Sequence, residues 1–126
     1  MTESQSRRTL CASGAVLFAR RMRLTNQERA DMPMTQVEAI AIARDAKVGI
    51  DFRLLAIHRL MDIAASYSES TDLWSEIRSA LFFSFLPEEI PTGIFLRFHN
   101  LVPVDWMKDW ADYRLGRNPS SQRLAA

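Results

Sequence analysis

Side chains that could bind a metal ion are scarce in this chain. It has two histidines, His58 and His99, and one cysteine, Cys11. A zinc site needs several cysteine or histidine ligands at short spacing, and these three residues lie far apart in the sequence. His58 falls on the apolar face of a predicted helix, which is typical of a core or interface histidine. We therefore expect no metal site.

Motifs for nucleophilic catalysis and for phosphate binding are also missing. The sequence has no Gly-x-Ser-x-Gly elbow, and its four glycines are isolated, so neither a P-loop nor a dinucleotide loop can form. Glu88 and Glu89 are adjacent, but adjacency does not create the geometry of a general acid and base. The sequence therefore predicts a protein that is not an enzyme, with no catalytic residues, no cofactor and no small-molecule substrate.

Length and composition are those of an ordinary globular domain. The chain has 126 residues, of which 48% are hydrophobic and 25% charged. These values exclude a collagen-like chain, an acidic disordered chain and a disulfide scaffold. A single cysteine fits a reducing compartment, so we expect a cytoplasmic protein. The longest apolar run, residues 80–86, is far shorter than the roughly 20 residues that span a bilayer, so no membrane span is expected.

The net charge of +1 conceals a segregation along the chain. Residues 1–30 carry six basic and two acidic groups, a net charge of +4, whereas residues 31–116 carry eight and thirteen, a net charge of −5. A basic arm of this kind can contact nucleic acid or an anionic surface, or it can fold back on its own acidic body. Its arginines and serines also partly resemble a transit peptide, and Met32 or Met34 is an alternative native start.

Sparse glycine and proline together with helical periodicity predict an all-α fold, a small bundle of about five to six helices with a basic N-terminal arm. The arm, residues 1–33, is expected to be helical over about 7–23 or partly disordered. Because Pro33 separates it from the body, we expect it to be dispensable for folding. The helical domain spans residues 34–116, and residues 117–126 are expected to be a flexible tail.

Two capping boxes mark helix starts, Thr25 with Glu28 and Thr35 with Glu38. Glycines are expected in the left-handed position after two helices, at Gly49 and Gly116. Further helices are expected over about 52–66, capped by Asp51, over 71–86, capped by Thr71 or Asp72, and over 105–115, capped by Asp105. One apolar face of the 71–86 helix is predicted to be buried. Its members are Leu73, Trp74, Ile77, Leu81 and Phe85. For residues 93–99 a helix is favoured over a strand.

Residues 42–49 resemble the first helix and turn of a helix-turn-helix motif. The resemblance depends on Ala43, Ala46 and Val48, and it departs from the motif where Lys47 occupies the expected glycine position. It implies a DNA-binding regulator whose arm contacts phosphates and whose second helix enters the groove. The residues concerned are Arg20, Arg21, Arg23, Arg53 and Arg59. The net charge of −5 on the body argues against this function.

Aromatic residues concentrate in the C-terminal half, where nine of the twelve lie between residues 74 and 113. Trp106, Trp110 and Tyr113 share one face of the last helix, with a parallel edge of aspartates expected to be solvated: Asp105, Asp109 and Asp112. This face is either core or a partner surface, because Trp and Tyr dominate interface hot spots. We expect Trp106 to anchor inward and Trp110 to lie nearer the rim.

The sequence favours a non-enzymatic protein–protein interaction module, a regulatory or accessory subunit of a larger complex. The simplest version is a homodimer. The predicted partner-binding residues are Phe82, Phe83, Trp106, Trp110 and Tyr113. The alternatives left open are the small helix-turn-helix DNA-binding regulator and a structural subunit whose arm orders on contact.

Overall fold

The fold is all-helical, as predicted. The computed structural model describes residues 13–66 and 71–116, and these are 77% helical with no strand. The helices of this described part are α1 (Gly14–Met22), α2 (Asn26–Asp31), α3 (Gln36–Arg44), α4 (Ile50–Ser66), α5 (Thr71–Phe83), α6 (Thr92–Leu101) and α7 (Asp105–Arg114), with a 3₁₀-helix at Pro87–Glu89 between α5 and α6. The predictions for residues 1–12 and for the tail fall outside the described residues.

Both predicted capping boxes are confirmed. The Thr25 hydroxyl accepts from the Glu28 amide at 3.1 Å, and the Glu28 carboxylate accepts from the Thr25 amide at 2.9 Å. Thr35 and Glu38 exchange the same two bonds at 3.2 and 3.1 Å. Each box satisfies two backbone donors that the first turn of a helix leaves without partners.

The predicted left-handed glycine after α3 is wrong, whereas the one after α7 is confirmed. Gly116 has φ +76°, and it is the one residue with positive φ in the described part of the chain. Helix α3 instead ends at Arg44, and Asp45 takes an extended conformation. The Asp45 carboxylate accepts from the Lys47 amide at 2.9 Å and from the Ala15 amide at 2.8 Å. This aspartate turn ends the helix before Gly49 is reached.

Several other helix boundaries differ from the predicted ones. Helix α1 begins at Gly14, after an extended Ser13, rather than at about residue 7, and the predicted caps Thr71 and Asp72 lie in the first turn of α5. Helix α5 ends at Phe83 rather than at residue 86, because the residue before Pro87 is driven out of the α region: Leu86 has ψ 147°. Asp51 and Asp105 lie inside the first turns of α4 and α7 and do not cap them from outside. Residues 93–99 are helical, since α6 covers Thr92–Leu101.

The chain divides into two compact units, Met1–Arg59 and Leu60–Ala126, and the division falls within α4. In the first unit, α1 packs against α3. The Phe18 and Phe52 rings meet edge to face at 4.7 Å, and Arg21 bonds the Glu38 carboxylate at 3.3 Å. The predicted arm therefore contributes a helix that packs on the first helix of the predicted domain.

In the second unit, α6 packs against α7, and the predicted apolar face of α5 is buried. Trp74 meets Phe98 edge to face at 5.5 Å. All five residues of the predicted face are at most 5% exposed. Four of them belong to α5, and the fifth, Phe85, lies two residues beyond its end. Burial of this face leaves the opposite side of α5, with Phe82 and Phe83, on the surface of the unit.

Candidate functional site

The aromatic residues exposed on α5 and α7 form the most distinctive surface of the second unit. Phe82 is 46% exposed, Phe83 76% and Trp106 53%, and Tyr113 is also exposed. The Phe82 and Phe83 rings contact each other at 4.8 Å. Single exposed apolar side chains are ordinary, but large aromatic rings grouped on one surface are typical of interaction sites.

The two tryptophans of α7 have the opposite placement to the one expected. Trp110 packs inward, with its ring 5.8 Å from Phe95 and 5.5 Å from Phe98, whereas Trp106 is half exposed. Successive residues are about 100° apart on a helix, so positions four apart differ by about 40°. That rotation brings Trp110 nearer to the buried side of α7, which Met107 and Ala111 mark.

Arg78 lies among three of these aromatic rings. Its guanidinium carbon is 4.9 Å from the Trp106 ring centroid, 5.3 Å from Trp110 and 5.9 Å from Phe82. Its Nε is buried and has no hydrogen-bond acceptor. Each contact of this kind contributes about 0.5–2 kcal/mol, more where water is excluded. The rings therefore hold the cation in place without neutralising its charge.

Arg114 approaches the same rings. Its guanidinium carbon lies 5.9 Å from the Trp110 centroid, 6.0 Å from Phe82 and 5.8 Å from Phe95. We call Arg78, Phe82, Trp106, Trp110 and Arg114 the arginine–aromatic cluster. Within the described ranges, neither guanidinium has a carboxylate partner or a hydrogen-bond acceptor. Because an aromatic ring offers no lone pair, their N–H donors remain available.

The cluster concentrates positive charge in an acidic unit. Residues 60–116 carry four basic and nine acidic groups, a net charge of −5, and two of the four basic groups are Arg78 and Arg114. A third, Arg97, forms an ion pair with Asp62. The cluster can therefore attract an anionic group locally, although the unit as a whole repels a polyanion.

The structure brings together three of the five predicted partner-binding residues, Phe82, Trp106 and Trp110, around two arginines. Phe83 adjoins them through Phe82. The fifth, Tyr113, is exposed on α7, and no ring contact among the described residues joins it to the others. Sequence reasoning missed both arginines. A signal was present, since Arg78 with Phe82 and Trp110 with Arg114 are four residues apart and therefore neighbours on a helix surface.

Asp112, predicted at a solvated edge, is buried instead. Its Oδ2 lies 3.4 Å from Nε2 of His99, and its side chain is 2% exposed. The pair connects the last turn of α6 with α7. A buried carboxylate requires a partner of this kind, so we interpret the pair as structural.

The five arginines of the DNA-binding alternative do not form one basic surface. Arg53 is 4% exposed, and its Nε donates to the Ala43 carbonyl at 3.0 Å. Nε of Arg59 donates to the Met34 carbonyl at 2.8 Å, and Arg21 is bonded to Glu38. Arg20 and Arg23 are exposed. An open groove of about 450 Å³ lies beside Arg20 and Arg21, but Glu38 also lines it and reduces its positive charge.

Among the described residues, no group of three or more His, Cys, Asp or Glu residues could hold a metal ion. Within the same part of the chain, every helix is too short or too polar to cross a bilayer.

Comparison of this chain with protein-family models, with curated proteins and with solved structures finds no match.

Proposed function

We propose that this chain is a non-enzymatic protein-interaction module whose contact surface is the arginine–aromatic cluster together with Phe83. One observation carries the proposal: exposed Trp106 and Phe82 flank Arg78, a guanidinium with no acceptor among the described residues. Trp and Arg are the residue types most enriched in interface hot spots, and hot spots cluster in this way. The role we propose is a regulatory or accessory subunit in the cytoplasm.

A partner that covers the exposed rings of the cluster would remove their apolar surface from water, which is favourable. A Trp side chain buries on the order of 200 Å² when fully covered. Covering the exposed half of Trp106 would therefore contribute about 2.5 kcal/mol at about 25 cal/mol per Å². Phe82 and Phe83 add similar areas. Covering all three rings would therefore offset a large part of the cost of association, which is about 4–15 kcal/mol.

The test is to select binding peptides from a displayed library of random dodecapeptides, with the purified full-length chain as the target. We expect peptides that bind the wild-type chain and Leu55→Ala but not Trp106→Ala. Leu55 is the matched control because it is an exposed apolar residue, 53% exposed, in the other unit. Selection of nothing that depends on Trp106 would refute the proposal. Light scattering of the same proteins decides whether the partner is a second copy, since a homodimer would become monomeric in Trp106→Ala.

Binding to duplex DNA is the second candidate, and the exposed Arg20 and Arg23 support it. The burial of Arg53 argues against a groove-reading role for that side chain. If the arm binds phosphates, affinity for a 20-base-pair duplex should fall steeply with salt and weaken uniformly in Arg20→Ala and Arg23→Ala. No gel shift at low salt would exclude this function.

A further inference from the structure

We propose that the cluster recognises an acidic peptide segment of a partner protein, in which one or two Asp or Glu residues lie beside an aliphatic or aromatic residue. The inference rests on the proposed function and adds the chemistry of the partner. In it, the guanidiniums of Arg78 and Arg114 take the carboxylates, while Phe82, Phe83 and Trp106 cover the apolar side chain.

In the described part of the chain, the two guanidiniums of the cluster are held by aromatic rings and not by acceptors. Their contacts with described residues are ring faces, which attract the charge but leave the N–H donors without acceptors. Nε of Arg78 has already lost contact with water. A cation that is partly desolvated interacts more strongly with an incoming carboxylate than a fully hydrated one does. The planar fork of a guanidinium matches a carboxylate with two parallel hydrogen bonds.

The two cations lie close enough together for one short peptide to reach both. Their guanidinium carbons lie 5.3 and 5.9 Å from the same Trp110 centroid, so they are at most 11.2 Å apart. An extended chain advances about 3.3–3.6 Å per residue. Two carboxylates of one peptide can therefore reach both arginines when they are separated by at most about three residues. A short segment is sufficient, and no extended surface is needed.

The net charge of the unit favours a peptide over a nucleic acid as the partner. The unit carries a net charge of −5 over residues 60–116, and Asp105 and Asp109 lie on the same helix as Trp106 and Trp110. A nucleic acid carries a phosphate at every position of its backbone, so a unit of this net charge repels it more strongly than it repels one or two carboxylates.

A second copy of this chain fits the cluster less well than another protein does. Leu86 and Glu88 are exposed on this unit, but a second copy would bring with them a unit of the same net charge, −5 over residues 60–116, and like charges repel. The occupant we propose is therefore an acidic segment of a different protein.

The experiment extends the peptide selection to charge variants of the full-length chain. Arg114→Glu reverses a charge of the cluster, and Lys108→Glu makes the same change elsewhere on α7. Selected peptides are synthesised with a fluorescein label, each beside a version in which Gln or Asn replaces its acids. Their affinities are measured by fluorescence anisotropy at 0.15 M salt. Arg114→Gln serves as a milder second variant, and far-UV circular dichroism verifies that each protein is folded.

We expect selected peptides to carry Asp or Glu within three residues of Phe, Leu, Ile or Trp. Arg114→Glu should weaken their binding at least tenfold and Arg114→Gln several-fold, while Lys108→Glu should change it less than twofold. The amide versions should bind the wild-type chain at least tenfold more weakly. Selection on Arg114→Glu itself should shift the enriched residues from acids towards Lys and Arg.

Four results would contradict the inference, and each would identify a different cause. Peptides that depend on Trp106 but show no acid preference and no response to Arg114→Glu would overturn this inference and leave the proposed function standing. No peptide that depends on Trp106 would overturn both. A 20-base-pair duplex that binds as tightly as the peptides, and is lost in Arg114→Glu, would replace the peptide by nucleic acid. A dimer by light scattering that Arg114→Glu dissociates would replace it by a second copy.

Discussion

The backbone of Gly14 lies directly against the carbonyl of Ala41. A Cβ atom added to Gly14 would lie 2.1 Å from the Ala41 oxygen, 2.6 Å from its carbonyl carbon and 2.7 Å from Cβ of Asp45. The neighbouring Ala15 amide donates to Asp45 at 2.8 Å. The absence of a side chain at residue 14 therefore allows the start of α1 to pack against the end of α3.

Gly14→Ala should destabilise the protein by about 1–3 kcal/mol or more, the usual effect of overpacking a close contact. The clash is with backbone atoms, which cannot rotate away as a side chain can. The measurement is the midpoint of urea unfolding followed by circular dichroism. Gly93→Ala is the matched control: it lies in α6 with nothing within 4 Å of an added Cβ, and it should stabilise by about 0.5–1 kcal/mol. Equal midpoints for the two variants would contradict the packing of α1 on α3.

Removal of residues 1–33 should lower stability, contrary to the expectation from sequence that the arm is dispensable. The shortened chain loses the Phe18 contact with Phe52 and the bonds from Arg21 to Glu38. A loss of about 2 kcal/mol would lower the melting temperature by roughly 10 °C in a domain of this size. Phe18→Ala in the full chain should reproduce part of the fall. An unchanged melting temperature in both proteins would show that α1 does not contribute to the fold.

Trp110→Ala and Trp106→Ala should have different effects on stability. Trp110 packs against Phe95 and Phe98, so its removal should cost about 3 kcal/mol, the lower part of the range for large aromatic residues. Trp106 is half exposed, so its removal should cost less than about 1 kcal/mol. Thermal unfolding of both variants provides the comparison. A larger loss in Trp106→Ala than in Trp110→Ala would reverse the assignment.

The stability of the first unit should fall in acid partly through Glu38. Burial raises the pKa of this carboxyl, but the hydrogen bonds from Arg21 and the Thr35 amide outweigh that effect, and its pKa lies below the ordinary 4.5. Since the folded-state pKa is lowered, the stabilisation is fully present above pH 4.5 and is lost as pH falls through the lowered value. Glu38→Gln should therefore reduce the slope of stability against pH below 4.5.

A double-mutant cycle with Arg21→Ala tests the cause of this effect. If Arg21 lowers the Glu38 pKa, Arg21→Ala should flatten the acid slope by itself and add little in the presence of Glu38→Gln. Additive effects of the two changes would show that the two side chains do not interact.

Arg53→Ala should act on stability and not on a DNA contact. The buried side chain donates to the Ala43 carbonyl between α3 and α4, and hydrogen bonds of charged groups contribute about 1.5–3 kcal/mol. Arg23→Ala, at an exposed position, should leave the unfolding midpoint unchanged. Urea unfolding and a low-salt gel shift of both variants separate the two roles. A stable Arg53→Ala protein that has lost DNA binding would restore the helix-turn-helix interpretation.

Sequence by itself determined the features whose causes lie within a few residues along the chain. The two capping boxes at Thr25 and Thr35 need only a hydroxyl and a carboxylate three residues apart, and the turn at Gly116 needs only a residue that tolerates positive φ. The buried face of α5 was also predictable, because its four large apolar side chains at helical spacing can be buried together only on one side of the helix. These local causes were sufficient for the all-α class and for the starts of α2 and α3.

Only the tertiary structure decided which residues of the α7 face are buried and which distant side chains meet. Periodicity places Trp106 and Trp110 on one face, but about 40° of rotation determines which of them is buried. The tertiary structure also decided that Asp112 pairs with His99 and that Arg53 is buried. It brings Arg78 and Arg114, thirty-six positions apart, to the same ring of Trp110. These contacts join residues distant in the chain, and helical spacing carries no information about which distant residue a face will contact.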